Sequence, residues 1–156
     1  MQLAHEFTVN TPIDRAWAVL TDVERIAPCM PGAELTEVDG DTYHGLVKVK
    51  VGPITAQYNG TASFVEKDEA AHRAVLKAAG RDVRGQGNAA ATVTAVMTEH
   101  GDGTQVTITT DMTVSGRVAQ FGRGVMADVT AKLLRQFVGN LEANVLAPGG
   151  TGEAAS

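Results

Sequence analysis

The amino-acid sequence predicts an α+β fold in which a curved antiparallel sheet of about seven strands is covered on one side by a long C-terminal helix. Apolar and polar residues alternate over most of residues 35–115, which is typical of antiparallel strands with one buried face. Turn residues separate these segments, including "DG" at 39–40 and "GDG" at 101–103. A stripe of apolar residues at helical spacing then follows, and it supplies the cover that the apolar face of the sheet needs.

The chain begins with a strand and two short helices. Residues 3–9 alternate in polarity, which predicts the first strand. Thr11 can cap the next helix, Pro12 fits its first position, and Asp14 has the spacing of a capping box. A second short helix is expected over residues 23–28, and the sequence "PCMPGAEL" then turns the chain.

The strands and the last helix each have one apolar face. In residues 42–51, the apolar face carries Tyr43 and three valines, while His44 shares the opposite, solvent face with Lys48 and Lys50. The last helix is expected to span about 40 Å, at about 1.5 Å per residue. Its apolar stripe consists of Val118, Phe121, Val125, Val129, Leu133, Phe137, Leu141 and Val145.

Composition and motifs exclude several classes of function. The net charge of −5 argues against nucleic-acid binding, and the single cysteine, Cys29, excludes an internal disulfide and a CxxC metal site. The four histidines lack metal-site spacing, and neither a phosphate loop nor a nucleophile elbow is present. Cys29 lies in the apolar sequence "APCMPG" and is expected to be buried and inert. No signal peptide or spanning segment is visible, which predicts a cytoplasmic protein.

An apolar cavity beneath the last helix is the remaining candidate site. Aromatic residues make up only 4% of the chain, so small and flexible aliphatic side chains must fill the interior. A long helix over a curved sheet can leave space between them, and such spaces bind ligands. Core packing is the alternative role for each wall residue. The expected wall residues are Tyr58, Phe64, Val93, Met97, Ile108, Met112, Phe121, Val125, Met126 and Val129.

Three stretches carry a resemblance to a known family. They are "TPIDRAWAVLTDVERIAPCMPGAE" (11–34), "YNGTASF" (58–64) and "GRVAQFGRGVMADVTAKLLRQFVGNLE" (116–142). With the order of elements, they resemble the carbon monoxide dehydrogenase CoxG family of the START-like (SRPBCC) helix-grip superfamily. The resemblance covers residues 1–146, the expected ligand-binding domain. Residues 147–156 are expected to form a flexible tail without the membrane-seeking segment that relatives often carry, which suggests a truncated form or a short member.

The resemblance implies an accessory role beside a molybdenum-containing carbon monoxide dehydrogenase. It implies recruitment of that enzyme to the inner face of the cell membrane. From this we expect a non-catalytic carrier that holds a menaquinone-like respiratory quinone, or a similar lipid, as non-covalent cargo. The alternatives are a maturation or tethering factor that acts only through protein contacts, and an enzyme of the polyketide-cyclase kind.

Polar contacts and an entrance complete the expected site. Tyr58 and His5 are the candidates to donate a hydrogen bond to a quinone carbonyl, although His5 can equally be a satisfied core or rim residue. Gly122 and Gly124 are expected to loosen the start of the last helix as a gate, or to permit close packing there. Two basic residues flank these glycines and are expected to face membrane or partner: Arg117 and Arg123.

Overall fold

A computed structural model describes residues 1–85 and 87–144. The expected tail at 147–156 and Val145 lie outside the described residues. A 3₁₀ turn over Ala27–Cys29 precedes the second strand, and another over Arg117–Phe121 precedes the last helix. The remaining elements are, in order, β1 (Gln2–Val9), α1 (Ile13–Leu20), α2 (Val23–Ile26), β2 (Ala33–Asp39), β3 (Thr42–Val51), β4 (Ile54–Asp68), β5 (Arg73–Asp82), β6 (Asn88–His100), β7 (Gly103–Val114) and α3 (Gly122–Asn144).

The seven strands form one antiparallel sheet in the order β1-β7-β6-β5-β4-β3-β2. Strands that follow each other in the chain pair as hairpins from β2 to β7, and β1 pairs with β7. The alternation of the sequence survives in this register, since Leu3, Val9 and Val106 are buried on the inner face. The sheet and its covering helix confirm the predicted fold class.

The start of α1 differs from the prediction. Pro12 is the residue that precedes the helix, and no side-chain hydrogen bond caps it. Thr11 is buried, and its carbonyl oxygen accepts a hydrogen bond from the Thr104 hydroxyl at 2.8 Å. Thr11 therefore ties the first connection to β7 instead of capping the helix.

The last helix also begins differently. The predicted stripe treats Val118 and Phe121 as part of one long helix, but both belong to the 3₁₀ turn. Gly122 follows that turn with φ of 78°, a left-handed value that favours glycine, and it begins α3. The 23 residues of α3 span about 35 Å at about 1.5 Å per residue.

α3 packs on the sheet through two separate apolar clusters. Near its C-terminal end, Phe137 and Leu141 join a cluster that includes Trp17 of α1. Near its N-terminal end, Met126 joins a smaller cluster with Val51 of β3. The helix is thus supported at both ends, and the segment between these contacts crosses the middle of the sheet.

Candidate functional site

A cavity of about 470 Å³ lies between the middle of α3 and the sheet, and it is partly open to solvent. Its volume falls within the roughly 300–1,000 Å³ that is usual for small-molecule sites. We call it the main cavity. Its roof is the segment of α3 between the two apolar clusters, and it confirms the hollow expected from the sequence. The residues that α3 contributes are Met126, Val129, Thr130, Leu133 and Phe137.

The floor of the main cavity is made of small residues on neighbouring strands. In one row across the sheet, Gly45 pairs with Gly60, Gly60 with Gly80, and Gly80 pairs with Ala89. The next row brings three alanines together: Ala62, Ala78 and Ala91. Since none of these side chains extends beyond a methyl group, they leave the space below the helix unfilled.

Four of the ten expected wall residues line the main cavity: Tyr58, Met112, Met126 and Val129. The other six lie outside its wall, because the two clusters that support α3 use these side chains as packing. Phe64, Met97 and Ile108 pack in or against the cluster at the C-terminal end of α3. Phe121 and Val125 pack against the cluster at its N-terminal end. Val93 pairs with Leu76, which does line the cavity, but lies one strand further away.

The sequence analysis missed the floor because it searched for large apolar side chains. The signal for the floor is the reverse, namely glycine and alanine at inward-facing positions such as Gly60, Ala78 and Ala91. Several further wall residues come from α2, the turn after it, and β2, including Val23, Ile26, Met30 and Leu35. These residues form the side of the cavity that faces away from the middle of the sheet.

Tyr58 is the polar wall residue best suited to hold a ligand carbonyl. Burial raises the pKa of its phenol above the ordinary value of 10.0, and the nearby Asp82 carboxylate raises it further. The phenol therefore keeps its proton at neutral pH and is a hydrogen-bond donor there. The sequence placed it on the apolar face of a central strand, and the structure puts it in the wall of the main cavity.

The histidines are distributed differently from the expectation. His5 pairs with Ile108 and lies outside the cavity wall, and its Nδ1 is buried without a hydrogen bond to any described residue. His44, expected in solvent beside Lys48, is only partly exposed and belongs to the cavity wall. Glu34 of β2 lies in the same wall. His44 and Glu34 are the titratable wall residues that the sequence analysis did not select.

The expected gate residues lie just beyond the main cavity. An added Cβ at Gly122 or Gly124 would meet no atom within 4 Å, so neither glycine serves close packing. The Arg123 guanidinium donates a hydrogen bond to the Gln2 carbonyl oxygen at 3.1 Å. Arg117 lies in a second cavity of about 120 Å³, which we call the small polar pocket. The wall of this pocket contains Lys48, Ile54, Thr55, Ala56, Gln57, Asp82, Arg84, Arg117 and Val118.

Other chemical groups offer little for catalysis. Cys29 is buried, and burial raises the pKa of its thiol above the ordinary value of 9.0, which disfavours the reactive thiolate. Within residues 1–85 and 87–144, no group of three or more His, Cys, Asp or Glu side chains could hold a metal ion. In the same part of the chain, no helix combines the length and apolarity needed to cross a lipid bilayer.

The sheet, its long covering helix and the hollow between them define a helix-grip protein with an apolar ligand cavity. The family model of the carbon monoxide dehydrogenase CoxG protein matches residues 6–146. The chain therefore belongs to the CoxG family, which confirms the resemblance carried by the sequence. The name of the family implies association with a carbon monoxide dehydrogenase.

Solved structures share the fold at low sequence identity. A conserved protein from Geobacillus kaustophilus is 19% identical, with a TM-score of 0.80 over 92% of this chain and 93% of its own. The Zhui aromatase/cyclase from Streptomyces sp. R1128 is also 19% identical, with a TM-score of 0.62 over 97% and 99%. The protein TTHA0849 from Thermus thermophilus is 14% identical, with a TM-score of 0.64 over 92% and 98%. No curated protein sequence matches the chain.

Proposed function

We propose that this protein carries a menaquinone-like respiratory quinone between the membrane and a molybdenum-containing carbon monoxide dehydrogenase. The observation that carries the proposal is the main cavity, whose wall is almost wholly apolar and has Tyr58 as a hydrogen-bond donor. The family supplies the partner, since its name associates it with carbon monoxide dehydrogenase.

A carrier solves a physical problem of such an enzyme. A quinone with an isoprenoid tail is almost insoluble, because each buried methylene favours an apolar site over water by about 0.8 kcal/mol. A dehydrogenase that works in the cytoplasm cannot meet this acceptor in water. A protein that covers the quinone with the small residues of the floor and the aliphatic side chains of α3 lowers the cost of moving it.

In this mechanism the protein binds and releases, and it catalyses no reaction. The quinone ring lies against the floor at Gly60 and Ala78, and a ring carbonyl accepts a hydrogen bond from the Tyr58 hydroxyl. Electrons move through the cofactors of the dehydrogenase and not through this chain. The gate at Gly122 and Gly124 stays a prediction: opening of this end of α3 widens the cavity for entry and release.

Membrane contact is proposed to be peripheral and at the cytoplasmic face. The net charge of −5 does not favour a general attraction to anionic lipids. Contact is therefore expected through uncovered apolar side chains, of which Val47 in the cavity wall is 38% exposed. Arg117 and Arg123 remain the proposed cationic contacts beside the start of α3.

Vesicles that contain menaquinone, together with a molybdenum carbon monoxide dehydrogenase, test the carrier directly. Added wild-type protein is expected to accelerate CO-dependent reduction of the quinone. Ala78→Phe fills the floor and is expected to abolish the acceleration, whereas Lys77→Phe places the same ring on the opposite, exposed face and should preserve it. Full acceleration by Ala78→Phe would show that the protein acts as a tether, with an incidental cavity.

An enzyme of the cyclase kind is the second candidate, and one observation favours it. His44 and Glu34 give the cavity wall a potential base and acid on neighbouring strands. A cyclase would convert a bound linear polyketide to a ring product and lose this activity in His44→Ala. A carrier returns its ligand chemically unchanged, which mass spectrometry of the released ligand distinguishes.

A further inference from the structure

The small polar pocket adjoins the main cavity and differs from it in character. Ala56 and Val118 belong to the walls of both, so these two side chains form the boundary between an apolar space and a polar one. Tyr58 lines the main cavity near this boundary, since the Asp82 carboxylate that raises its pKa lines the pocket.

The charges around the pocket favour an anion. Lys48, Arg84 and Arg117 contribute three positive charges and Asp82 one negative charge, which leaves a formal charge of +2. This local charge is opposite in sign to the net charge of −5 of the whole chain. A cationic recess in an acidic protein raises the local concentration of anions and not of cations.

The single carboxylate in the pocket already has a structural partner. The Asp82 Oδ1 accepts a hydrogen bond from the backbone N–H of Arg84 at 2.7 Å. This bond holds the first residues of the β5–β6 connection against the end of β5. It fixes the Arg84 backbone at the pocket, and the Arg84 side chain then lines the wall.

The pocket also occupies a place where the sheet is incomplete. β5 ends at Asp82, which pairs with Tyr58, so β4 continues from Gln57 back to Ile54 without β5 beside it. The connection after β5 covers part of this edge through a hydrogen bond from Val83 N–H to the Gln57 carbonyl oxygen at 2.9 Å. The remaining recess has a volume of about 120 Å³, enough for a small anionic group and too small for a fused ring system.

We propose that the small polar pocket binds the carboxylate or phosphate group of an anionic amphiphile whose hydrocarbon chain lies in the main cavity. The contiguous walls at Ala56 and Val118 bring the two parts of such a ligand within one molecule's reach. This inference goes beyond the quinone proposal, because a neutral quinone has no charge for Lys48, Arg84 and Arg117 to meet.

Oleate is the probe, with its uncharged methyl ester as the comparison ligand. Lys48→Gln and Arg84→Gln are each expected to weaken oleate binding about fivefold, and the double variant about 25-fold, at low salt. Binding of methyl oleate should change less than twofold in all three. Lys50→Gln and Arg81→Gln remove the same charge from positions outside the pocket wall and serve as matched controls. Equal losses in the control variants would overturn the site and point to net charge alone.

Two further arms identify the source of the anion. Asp82→Asn removes the opposing charge and keeps an oxygen for the Arg84 N–H, so it is expected to tighten oleate binding about threefold. Inorganic phosphate at millimolar concentration should compete weakly with oleate, because it lacks the hydrocarbon chain. Displacement of oleate by phosphate at micromolar concentration would overturn the amphiphile and assign the pocket to a free anion. The result does not depend on quinone binding, which is measured separately with the neutral ligand.

Discussion

Gly60 on β4 pairs with Gly80 on β5 in the floor of the main cavity. A Cβ at Gly60 would collide with the carbonyl oxygen of Ala79 and approach the Cα of Gly80 to 2.7 Å. Glycine at this position therefore has two consequences. It lets β4 and β5 approach closely where the sheet curves, and it leaves the space above them empty.

Gly60→Ala is expected to destabilise the protein by about 1–3 kcal/mol, because the added methyl group must displace the backbone of β5. Urea unfolding followed by circular dichroism measures this loss. Gly139→Ala is the control: its Cβ meets open space on α3, and it should raise stability by about 0.5–1 kcal/mol. Unchanged stability of Gly60→Ala would contradict the close strand approach.

Gly124→Ala tests the gate. A Cβ at Gly124 meets no neighbour, so alanine should raise helix stability by about 0.5–1 kcal/mol and slow ligand exchange through a more rigid helix start. Stopped-flow displacement of a bound fluorescent lipid measures the exchange rate. Gly139→Ala stabilises the same helix far from its start and should leave exchange unchanged. Equal rates in wild type and Gly124→Ala, with the expected gain in stability, would eliminate the gate.

Gly122 is unsuitable for this test. Its φ of 78° is a left-handed value, so alanine there introduces backbone strain whatever its effect on exchange. The structure thus separates the two glycines: Gly122 permits the break between the 3₁₀ turn and α3, while Gly124 only weakens the helix.

Tyr58→Phe is expected to weaken binding of a short-chain menaquinone roughly three- to tenfold, the loss of one hydrogen bond of about 0.5–1.5 kcal/mol. Fluorescence titration of lipid-free protein measures the affinity. Tyr43→Phe, which alters another tyrosine of the same wall, should change the affinity less than twofold. A larger loss in Tyr43→Phe would move the donor role to Tyr43.

Stability is expected to fall at alkaline pH, with the sign fixed by Tyr58 and Cys29. Their folded-state pKa values are raised above the ordinary 10.0 and 9.0, so the folded chain keeps protons that the unfolded chain has lost. Their contribution is complete below pH 9 and declines as pH rises through the folded-state values. Urea midpoints between pH 8 and 11 measure the decline, and Tyr58→Phe should make it shallower above pH 10. An identical decline in Tyr58→Phe would contradict the raised pKa of this phenol.

The fold could be predicted from the sequence because its determinants are local and periodic. Alternation over β2 to β7 and the stripe that includes Phe137 and Leu141 placed the sheet and α3 correctly. The break at Gly122 was missed because the spacing of Val118 and Phe121 fits a continuous helix, and a positive φ has no signature in apolar periodicity.

The cavity wall was harder to predict than the cavity itself. Periodicity identifies which side chains face inward, but not which of them fill the space. Phe64 and Met97 face inward and pack in or against the cluster that supports α3, whereas Ala78 and Ala91 face inward and leave the hollow. The difference depends on the register between strands, which places small residues opposite small residues, and register is not visible in one strand alone.

Val125 illustrates the practical consequence. From periodicity alone it is a wall residue and a natural position for a cavity-filling tryptophan. It packs instead against the cluster around Met126 and Val51, where a larger side chain would disturb the support of α3. Ala78 is the better position, because a larger ring there extends into empty space.

Solvent extraction and mass spectrometry of the purified protein test the central claim most directly. Protein produced in a host that contains menaquinone is expected to carry this quinone, while Ala78→Phe, purified in parallel with Lys77→Phe as the folded control, should carry at least tenfold less. Recovery of no quinone or other isoprenoid from the wild-type protein, or of equal amounts from wild type and Ala78→Phe, would contradict the carrier.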